Sequence, residues 1–177
     1  MVEITSKKMN KSIVLIGLMG AGKSSIGWRL AKKLGLDFVD LDQEIEKKEK
    51  CSVNEIFAGK GEEYFRQQEK KMLATDLKYP PHVLAPGGGI FLDKENRKLL
   101  KKFATTIWLR ASLDVLLDRV SRRNTRPLLE GGDKAEIMAR LMEERYPLYS
   151  EADLTVDSDN NSHEMVVDKI MELLCKI

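Results

Sequence analysis

Ser12-Ile-Val-Leu-Ile-Gly17-Leu-Met-Gly-Ala-Gly22-Lys23-Ser24-Ser25 is the stretch that decides the fold of this 177-residue chain. It joins a buried-type apolar run to the pattern GxxxxGKS, and a helix-forming segment from Ile26 to Leu34 follows. Strand, glycine-rich loop and helix in this order form a P-loop, in which backbone N–H groups and the helix N-terminus face a polyphosphate. The residues predicted to bind a nucleotide there are Gly20, Ala21, Gly22, Lys23, Ser24 and Ser25.

Two P-loop side chains carry specific expectations. Lys23 is expected to reach the β- and γ-phosphates, and the Ser24 hydroxyl is expected to ligate Mg²⁺. A glycine-rich turn with no ligand is the alternative, but both the full spacing and the strand-loop-helix context favour a nucleotide site.

Length and composition indicate one domain over residues 1–177, because 42% hydrophobic content can form one sizeable core. The 30 basic and 28 acidic residues are spread along the chain and give a net charge of +2, so neither a nucleic-acid nor a membrane partner is expected. No apolar run approaches the ~18 residues of a membrane span, and we expect a cytoplasmic protein.

Cysteine and histidine provide no evident chemistry. Cys51 and Cys175 lack metal-ligand spacing and are interpreted as reduced thiols. His82 is assigned to a strand and His163 to the start of a helix after Ser162.

Apolar runs alternate with helix-period segments along the whole chain, which is typical of βα units that form a parallel sheet. The fold class is therefore α/β. Five strands are predicted, at Ile13 to Ile16, Phe38 to Asp40, His82 to Ala85, Thr106 to Leu109 and Leu154 to Val156.

Two segments are too long or too polar for simple connections. Leu41 to Lys78 is helical in composition and contains a capping box, Ser52-Val-Asn-Glu55, so we interpret it as a helical insertion that closes over a second substrate. Ser121 to Asp133 is rich in arginine and glycine and is interpreted as a mobile lid. A helix from Lys134 to Tyr146 should end before Pro147.

Asp40 and Asp42 are placed at the C-terminal end of the second strand, where alternation of side chains would point both carboxylates to one face. Asp40 is the best available partner for hydrated Mg²⁺, because the run from Val83 to Gly87 contains no acid. Asp42 is a candidate to orient, or accept a proton from, an attacking hydroxyl. Capping of the following helix by Asp42 is the structural alternative.

The turn Gly87-Gly88-Gly89 directly follows an apolar strand, so a ligand can approach its backbone closely; tight packing is the alternative explanation. Arg66 and Arg145 lie in helical segments and, taken alone, would be interpreted as solvated surface charges. Arg126 differs because it lies in the lid, where a guanidinium can reach a transferred phosphoryl group. Three further arginines lead into the lid: Arg119, Arg122 and Arg123. One of them could stack on adenine, or together they could form a basic surface that attracts ATP.

Taken together, these motifs resemble the shikimate kinase family. The resemblance runs from about Ile13 to about Ser162, and only the P-loop is specific by itself, whereas the ordered set is highly specific. The segments that carry it are GLMGAGKSSIG, FVDLDQEIE, IFAGKGEEYFRQQE, the GGG turn, RPLL and ERYPLY.

The resemblance implies a three-layer α/β/α P-loop kinase fold with a five-stranded parallel sheet in the order 2-3-1-4-5. It also implies phosphoryl transfer from MgATP to the 3-hydroxyl of shikimate, a step in the pathway to chorismate and the aromatic amino acids. By the same resemblance, shikimate would contact Asp42, Arg66, Gly88 and Arg145, with Gly87 and Gly89 framing the turn.

Further roles are implied in the same way. Lys23 and Arg126 would stabilise charge on the transferred group, Ser24 and Asp40 would serve Mg²⁺, and Arg119 would cover adenine. Glu69, one turn after Arg66, is a candidate to hold that guanidinium through an i,i+3 contact.

Some alternatives remain open at this stage. A P-loop kinase for another hydroxylated carboxylate such as gluconate would use a similar clamp, and a nucleotide-binding regulator would keep the fold without the chemistry.

The segment from Asp157 to Asn161 lacks the basic residue that some relatives place near adenine. We expect a monomer, since no long apolar surface stripe remains unassigned.

Overall fold

The computed structural model describes residues 9–122, 132–159 and 161–177. Five parallel strands form one sheet in the order β2-β3-β1-β4-β5. All five predicted strands and the implied strand order are confirmed. The strands are β1 Ser12–Ile16, β2 Phe38–Asp40, β3 Val83–Ala85, β4 Ala104–Arg110 and β5 Leu154–Asp157.

Helices cover both faces of the sheet and enclose its apolar side chains. Every residue of β1 is buried, as expected for a central strand of a parallel sheet. The helices are α1 Lys23–Leu34, α2 Leu41–Glu49, α3 Val53–Asp76, α4 Lys94–Phe103, α5 Leu113–Ser121, α6 Lys134–Tyr149 and α7 His163–Leu174. In the described residues, no helix combines the length and apolarity needed to cross a membrane.

Helix α1 follows the P-loop without a break. Gly22 precedes it at φ 93°, a left-handed conformation that glycine adopts without strain. A Cβ on Gly27 would lie 2.5 Å from the Phe38 ring, so the missing side chain lets α1 pack closely against β2.

The segment from Leu41 to Lys78 is helical, as predicted, and contains α2 and α3. Ser52 and Glu55 form the predicted capping box at the start of α3. Helix α3 is interrupted at Gly61, where φ is 83° and ψ is 165°. Phe57 and Phe65 pack together across this interruption, with ring centroids 5.1 Å apart.

The sequence pattern suggested that Asp42 continues the alternation of the second strand, but Asp42 lies outside that strand. Strand β2 ends at Asp40, and Leu41, which is 1% exposed, already belongs to α2. Asp40 caps α2 by accepting a hydrogen bond from the Gln43 N–H, so the alternative that Asp42 is the cap is also wrong. Because the buried Leu41 already belongs to α2, Asp42 lies in the first turn of that helix.

Helix α6 continues through Pro147, whereas the sequence predicted its end at Tyr146. Pro147 has no N–H to bond to the Glu143 carbonyl oxygen, so this turn has one backbone hydrogen bond fewer than a regular helix. Tyr149 is completely buried, and Ser150 N–H still bonds to Tyr146 C=O at 3.0 Å. Aromatic packing therefore holds the final turn.

His82 lies immediately before β3, one residue outside the strand that was predicted to include it. Its Nε2 lies 2.5 Å from an Asp76 carboxylate oxygen and its Nδ1 3.0 Å from the Pro80 carbonyl oxygen. Burial by itself would lower the pKa of His82, but its contacts with Asp76 and Pro80 outweigh burial and raise that pKa.

We expect Asp76→Asn to destabilise the protein more at pH 6 than at pH 8. Because the pKa of His82 is raised by folding, its stabilisation is complete below the ordinary histidine pKa of about 6.5 and is lost as the pH rises through the higher folded-state value. The free energy of unfolding should fall by about 1–3 kcal/mol at pH 6, the range for a hydrogen bond to a charged group. Urea unfolding at both pH values measures this, and an equal loss at both would contradict it.

Candidate active site

A cleft of about 890 Å³ opens at the carboxyl edge of the sheet. Loops after β1, β2 and β3 line it together with residues of α2, α3 and α6, as expected for ligand sites of open α/β sheets. The predicted site residues that line it are Gly20, Gly22, Lys23, Ser24, Ser25, Asp40, Asp42, Arg66, Gly87, Gly88, Gly89, Arg119 and Arg145.

Two residues of the predicted site are not among those that line the cleft. Ala21 is 1% exposed, and its N–H donates to Leu18 C=O at 3.1 Å, so its side chain does not line the cleft. Arg126 lies outside the described residues, as does Arg123, within the unassigned part of the predicted lid at 123–131.

The P-loop holds its lysine close to its own backbone. Lys23 Nζ donates to Gly17 C=O at 2.7 Å and to Leu18 C=O at 3.1 Å. The amino group thus lies against the loop that is predicted to surround the phosphates. A phosphate oxygen would replace carbonyl oxygens as its acceptor.

Ser24 and Asp40 meet beside this lysine. Ser24 Oγ donates to Asp40 Oδ2 at 2.6 Å, which joins the start of α1 to the end of β2. A hydroxyl and a carboxylate are oxygen donors of the kind that Mg²⁺ prefers. Among the described residues no three acidic, histidine or cysteine side chains could hold a metal ion together.

Arg119 connects the P-loop with the loop after β5. Its Nη1 donates to Gly20 C=O at 3.2 Å, and its Nη2 donates to Ser158 C=O at 2.7 Å. His163, at the start of α7, also lines this end of the cleft. Sequence reasoning gave neither Ser158 nor His163 a role, because no motif signals loop residues that converge only in three dimensions.

The opposite end of the cleft is built around a buried ion pair. Arg66 Nη1 donates to Glu69 Oε2 at 2.6 Å, which confirms the predicted i,i+3 contact, and Arg66 Nη2 donates to Glu62 at 3.0 Å. The Glu69 side chain is 1% exposed. Burial raises the pKa of Glu69 to about 7; Arg66 and Arg145 oppose this shift, and Asp42 adds to it.

Neither arginine is a solvated surface charge, so that interpretation of the sequence is wrong. Arg145 is 6% exposed and the Arg66 side chain 28% exposed. Although burial alone would lower the pKa of Arg66, the charge and hydrogen bond of Glu69 raise it above its usual value. Two fixed positive charges therefore face one end of the cleft.

The glycine turn touches each of these charged groups. A Cβ on Gly87 would lie 2.5 Å from Glu69 Oε1, one on Gly88 would lie 3.2 Å from Arg145 Nη1, and one on Gly89 would lie 2.5 Å from Arg66 Cζ. None of the three residues has a positive φ. Lack of space, and not backbone conformation, therefore favours glycine, which agrees with the tight-packing explanation; the turn also lines the cleft.

Tyr149 is a site residue that sequence reasoning missed. Its hydroxyl donates to Gly88 C=O at 2.5 Å, and burial raises its pKa to about 12. It lies one helical turn after Arg145, and the spacing Arg145-Tyr-Pro-Leu-Tyr149 could have indicated a shared face.

Comparison with known proteins agrees with this geometry. The family model for shikimate kinase matches residues 19–175. The chain belongs to the shikimate kinase family. A shikimate kinase of Paramagnetospirillum magneticum is 49% identical over 169 residues, which cover 96% of this chain and 87% of that relative.

Solved structures of this family superpose closely. A shikimate kinase of Acinetobacter baumannii, in complex with shikimate, matches with a TM-score of 0.92 and 34% identity, covering 97% of both chains. A gluconokinase of Sinorhizobium meliloti matches with a TM-score of 0.63 at 17% identity, covering 94% of this chain and 93% of its own, which shows a shared fold alone. Membership of the shikimate kinase family makes the chain an ATP-dependent kinase, so the regulator alternative is wrong.

For this family member, we expect Gly89→Ala to displace Arg66 and to reduce stability by about 1–3 kcal/mol, the usual cost of overpacking. Gly59→Ala is the matched control, because a Cβ there meets no atom within 4 Å and its backbone lies in α3. The control should be neutral or slightly stabilising, since alanine favours helix. Urea unfolding of both variants measures the difference, and equal stabilities would contradict the steric role of Gly89.

Proposed function

We propose that this chain transfers the γ-phosphoryl group of ATP to the 3-hydroxyl of shikimate, giving shikimate 3-phosphate and ADP. The observation that carries the proposal is the pair formed by the half-buried Arg66 and the buried Arg145, which face the P-loop across one cleft with Asp42 beside them. An acceptor that fits must bear a carboxylate at one end and hydroxyls at the other. The shikimate complex of the Acinetobacter baumannii relative supports this choice of acceptor.

The arginines would bind the acceptor carboxylate. Guanidinium groups bond carboxylates with two parallel hydrogen bonds, and they do so most strongly where water is excluded. Arg66 is held in place by Glu69 and Glu62, and Arg145 lies against Gly88. Because these groups are already positioned, little side-chain entropy is lost when the acceptor binds.

Asp42 would act on the acceptor hydroxyl. It lies in the first turn of α2, and its Oδ1 is 3.1 Å from the position of a Cβ on Gly87, so it faces the glycine turn. A carboxylate there can orient the hydroxyl and accept its proton during transfer. The backbone of Gly87, Gly88 and Gly89 would contact the remaining hydroxyls.

The P-loop half of the cleft would hold the nucleotide. Lys23 would exchange its carbonyl partners for β- and γ-phosphate oxygens, and Arg119 would cover the adenine. Ser24 would ligate Mg²⁺ directly and Asp40 through a water molecule. Mg²⁺, when bound, supplies charge neutralisation on the phosphates. Arg126 remains a proposed partner of the transferred group.

The test of the function is ADP release from MgATP by the purified protein with shikimate, with gluconate and with no acceptor. We expect release that depends on shikimate and stays at the background rate with gluconate. Mass spectrometry of the product should show one added phosphate. ADP release with gluconate but not with shikimate would support the arginine site for a carboxylate and reject shikimate as the acceptor. ATP binding without ADP release for either acceptor would reject the proposal.

We expect Asp42→Asn to lower turnover by about 10²-fold or more, the usual contribution of a positioned acid or base, while ATP binding survives. The matched control is Glu44→Gln on the same helix, which makes the same change of charge at a side chain that pairs with Lys47 and lies outside the cleft lining. The control should keep near-normal turnover. Steady-state kinetics and equilibrium ATP binding measure both variants, and near-normal turnover of Asp42→Asn would remove this role from Asp42.

A further inference from the structure

Glu69 has one oxygen that the proposed reaction leaves unused. Its Oε2 accepts the hydrogen bond from Arg66 at 2.6 Å. Its Oε1 is buried and has no hydrogen-bond partner among the residues that the structure describes. An oxygen in this situation loses the hydrogen bonds of water without replacing them, which costs free energy unless something binds there.

The charges around Glu69 come from three helices. Arg66 lies on its own helix and is shared with Glu62, Asp42 faces it from α2, and Arg145 faces it from α6. The phenol of Tyr149, also on α6, donates to the Gly88 carbonyl oxygen. In the free protein, the half-buried Arg66 and the buried Arg145 therefore oppose the two carboxylates that face the glycine turn.

The two carboxylates meet across Gly87. A Cβ on this glycine would lie 2.5 Å from Glu69 Oε1 and 3.1 Å from Asp42 Oδ1, so these oxygens are less than 6 Å apart. An acceptor carboxylate on Arg66 and Arg145 would add a third negative charge to the same small volume. Like charges at such distances in a buried site favour protonation of one of them.

We propose that Glu69 binds a proton on Oε1 when an anionic acceptor binds, so that the acceptor site takes up its carboxylate and a proton together. The proposal rests on the proposed function, since it requires an acceptor that carries a carboxylate. The proton comes from solvent and adds to Oε1, so no bond in the acceptor changes. Oε2 keeps the hydrogen bond from Arg66, and the new O–H points toward the glycine turn and Asp42.

The energetics allow this uptake near neutral pH. The pKa of Glu69 is about 7 before an acceptor binds, so the carboxyl is partly protonated at that pH. A neighbouring negative charge raises the pKa further, and each unit corresponds to a tenfold change in the proton affinity. By linkage, the acceptor then binds more tightly as the pH falls through the pKa of Glu69.

Isothermal titration calorimetry of shikimate binding in the absence of nucleotide measures the proton directly. Binding enthalpies at pH 7 are compared in buffers with different ionisation enthalpies, at equal ionic strength. For a shift of one pKa unit from 7, we expect uptake of about 0.4 proton and a dissociation constant about fivefold larger at pH 8 than at pH 6. Zero uptake in the wild-type protein would overturn the proposal.

Three variants, each of which removes one titratable side chain, assign the proton. Glu69→Gln resembles the protonated carboxyl, so it should bind shikimate at pH 8 within about threefold of wild-type binding at pH 6 and should take up no proton. Glu62→Gln removes the exposed partner of Arg66 and should keep the uptake. His163→Gln removes the imidazole that lines the cleft, and this variant should also retain the proton uptake.

The outcomes separate cleanly. Loss of binding in a folded Glu69→Gln variant would overturn the proposal, because the protonated form would then be unable to hold the acceptor. Uptake that disappears in His163→Gln or Glu62→Gln, and not in Glu69→Gln, would also overturn it. If Glu69→Gln does not fold, the wild-type uptake and its retention in the other two variants decide the proposal. No shikimate binding to the wild-type protein would instead reject the proposed function.

Discussion

The pairing of β1 with β3 on one side and β4 on the other is the constraint on which the site depends. Val14 is opposite Leu84 in the first pair and Thr106 in the second, so the carboxyl ends of the strands lie at one edge. The P-loop leaves β1 there and the glycine turn leaves β3. A Cβ on Gly88 would lie 3.1 Å from Gly17 C=O, so the glycine turn and the P-loop are in direct contact. The strand order thus brings the proposed nucleotide site next to the proposed acceptor site.

The acceptor end of the cleft combines buried charge with the absence of side chains. Buried ions are costly unless paired, and Arg66 and Glu69 satisfy this by bonding each other at 2.6 Å. The glycine turn leaves the space that these groups occupy. The pair therefore fixes the position of the Arg66 guanidinium at the cleft and offsets part of the cost of burying Glu69. Stability is spent on a fixed geometry, as is common at ligand sites.

Much of this could be predicted from the sequence, and the failures have physical causes. The P-loop and the five strands follow from local pattern, and the strand order came from the family resemblance. Asp42 was placed in a strand because alternation continues one residue past the point where burial of Leu41 starts a helix. Arg145 was interpreted as exposed because its burial depends on contacts between α6 and the distant glycine turn. Tyr149 was missed because its spacing from Arg145 indicates a shared helix face but not that its hydroxyl reaches the distant glycine turn.

The aromatic cluster behind the glycine turn has an optical consequence. Trp108 on β4 is 5% exposed and packs edge-on against Tyr146, with ring centroids 4.9 Å apart, and lies 6.0 Å from Tyr149. The hydroxyl of Tyr149 is bonded to Gly88 in the cleft. Trp28 on α1 is 53% exposed, so its emission belongs to the solvent-facing surface. The chain therefore contains one buried tryptophan that packs against Tyr149, whose hydroxyl is bonded to the glycine turn, and one exposed tryptophan on α1, so the two indoles lie in environments of different polarity.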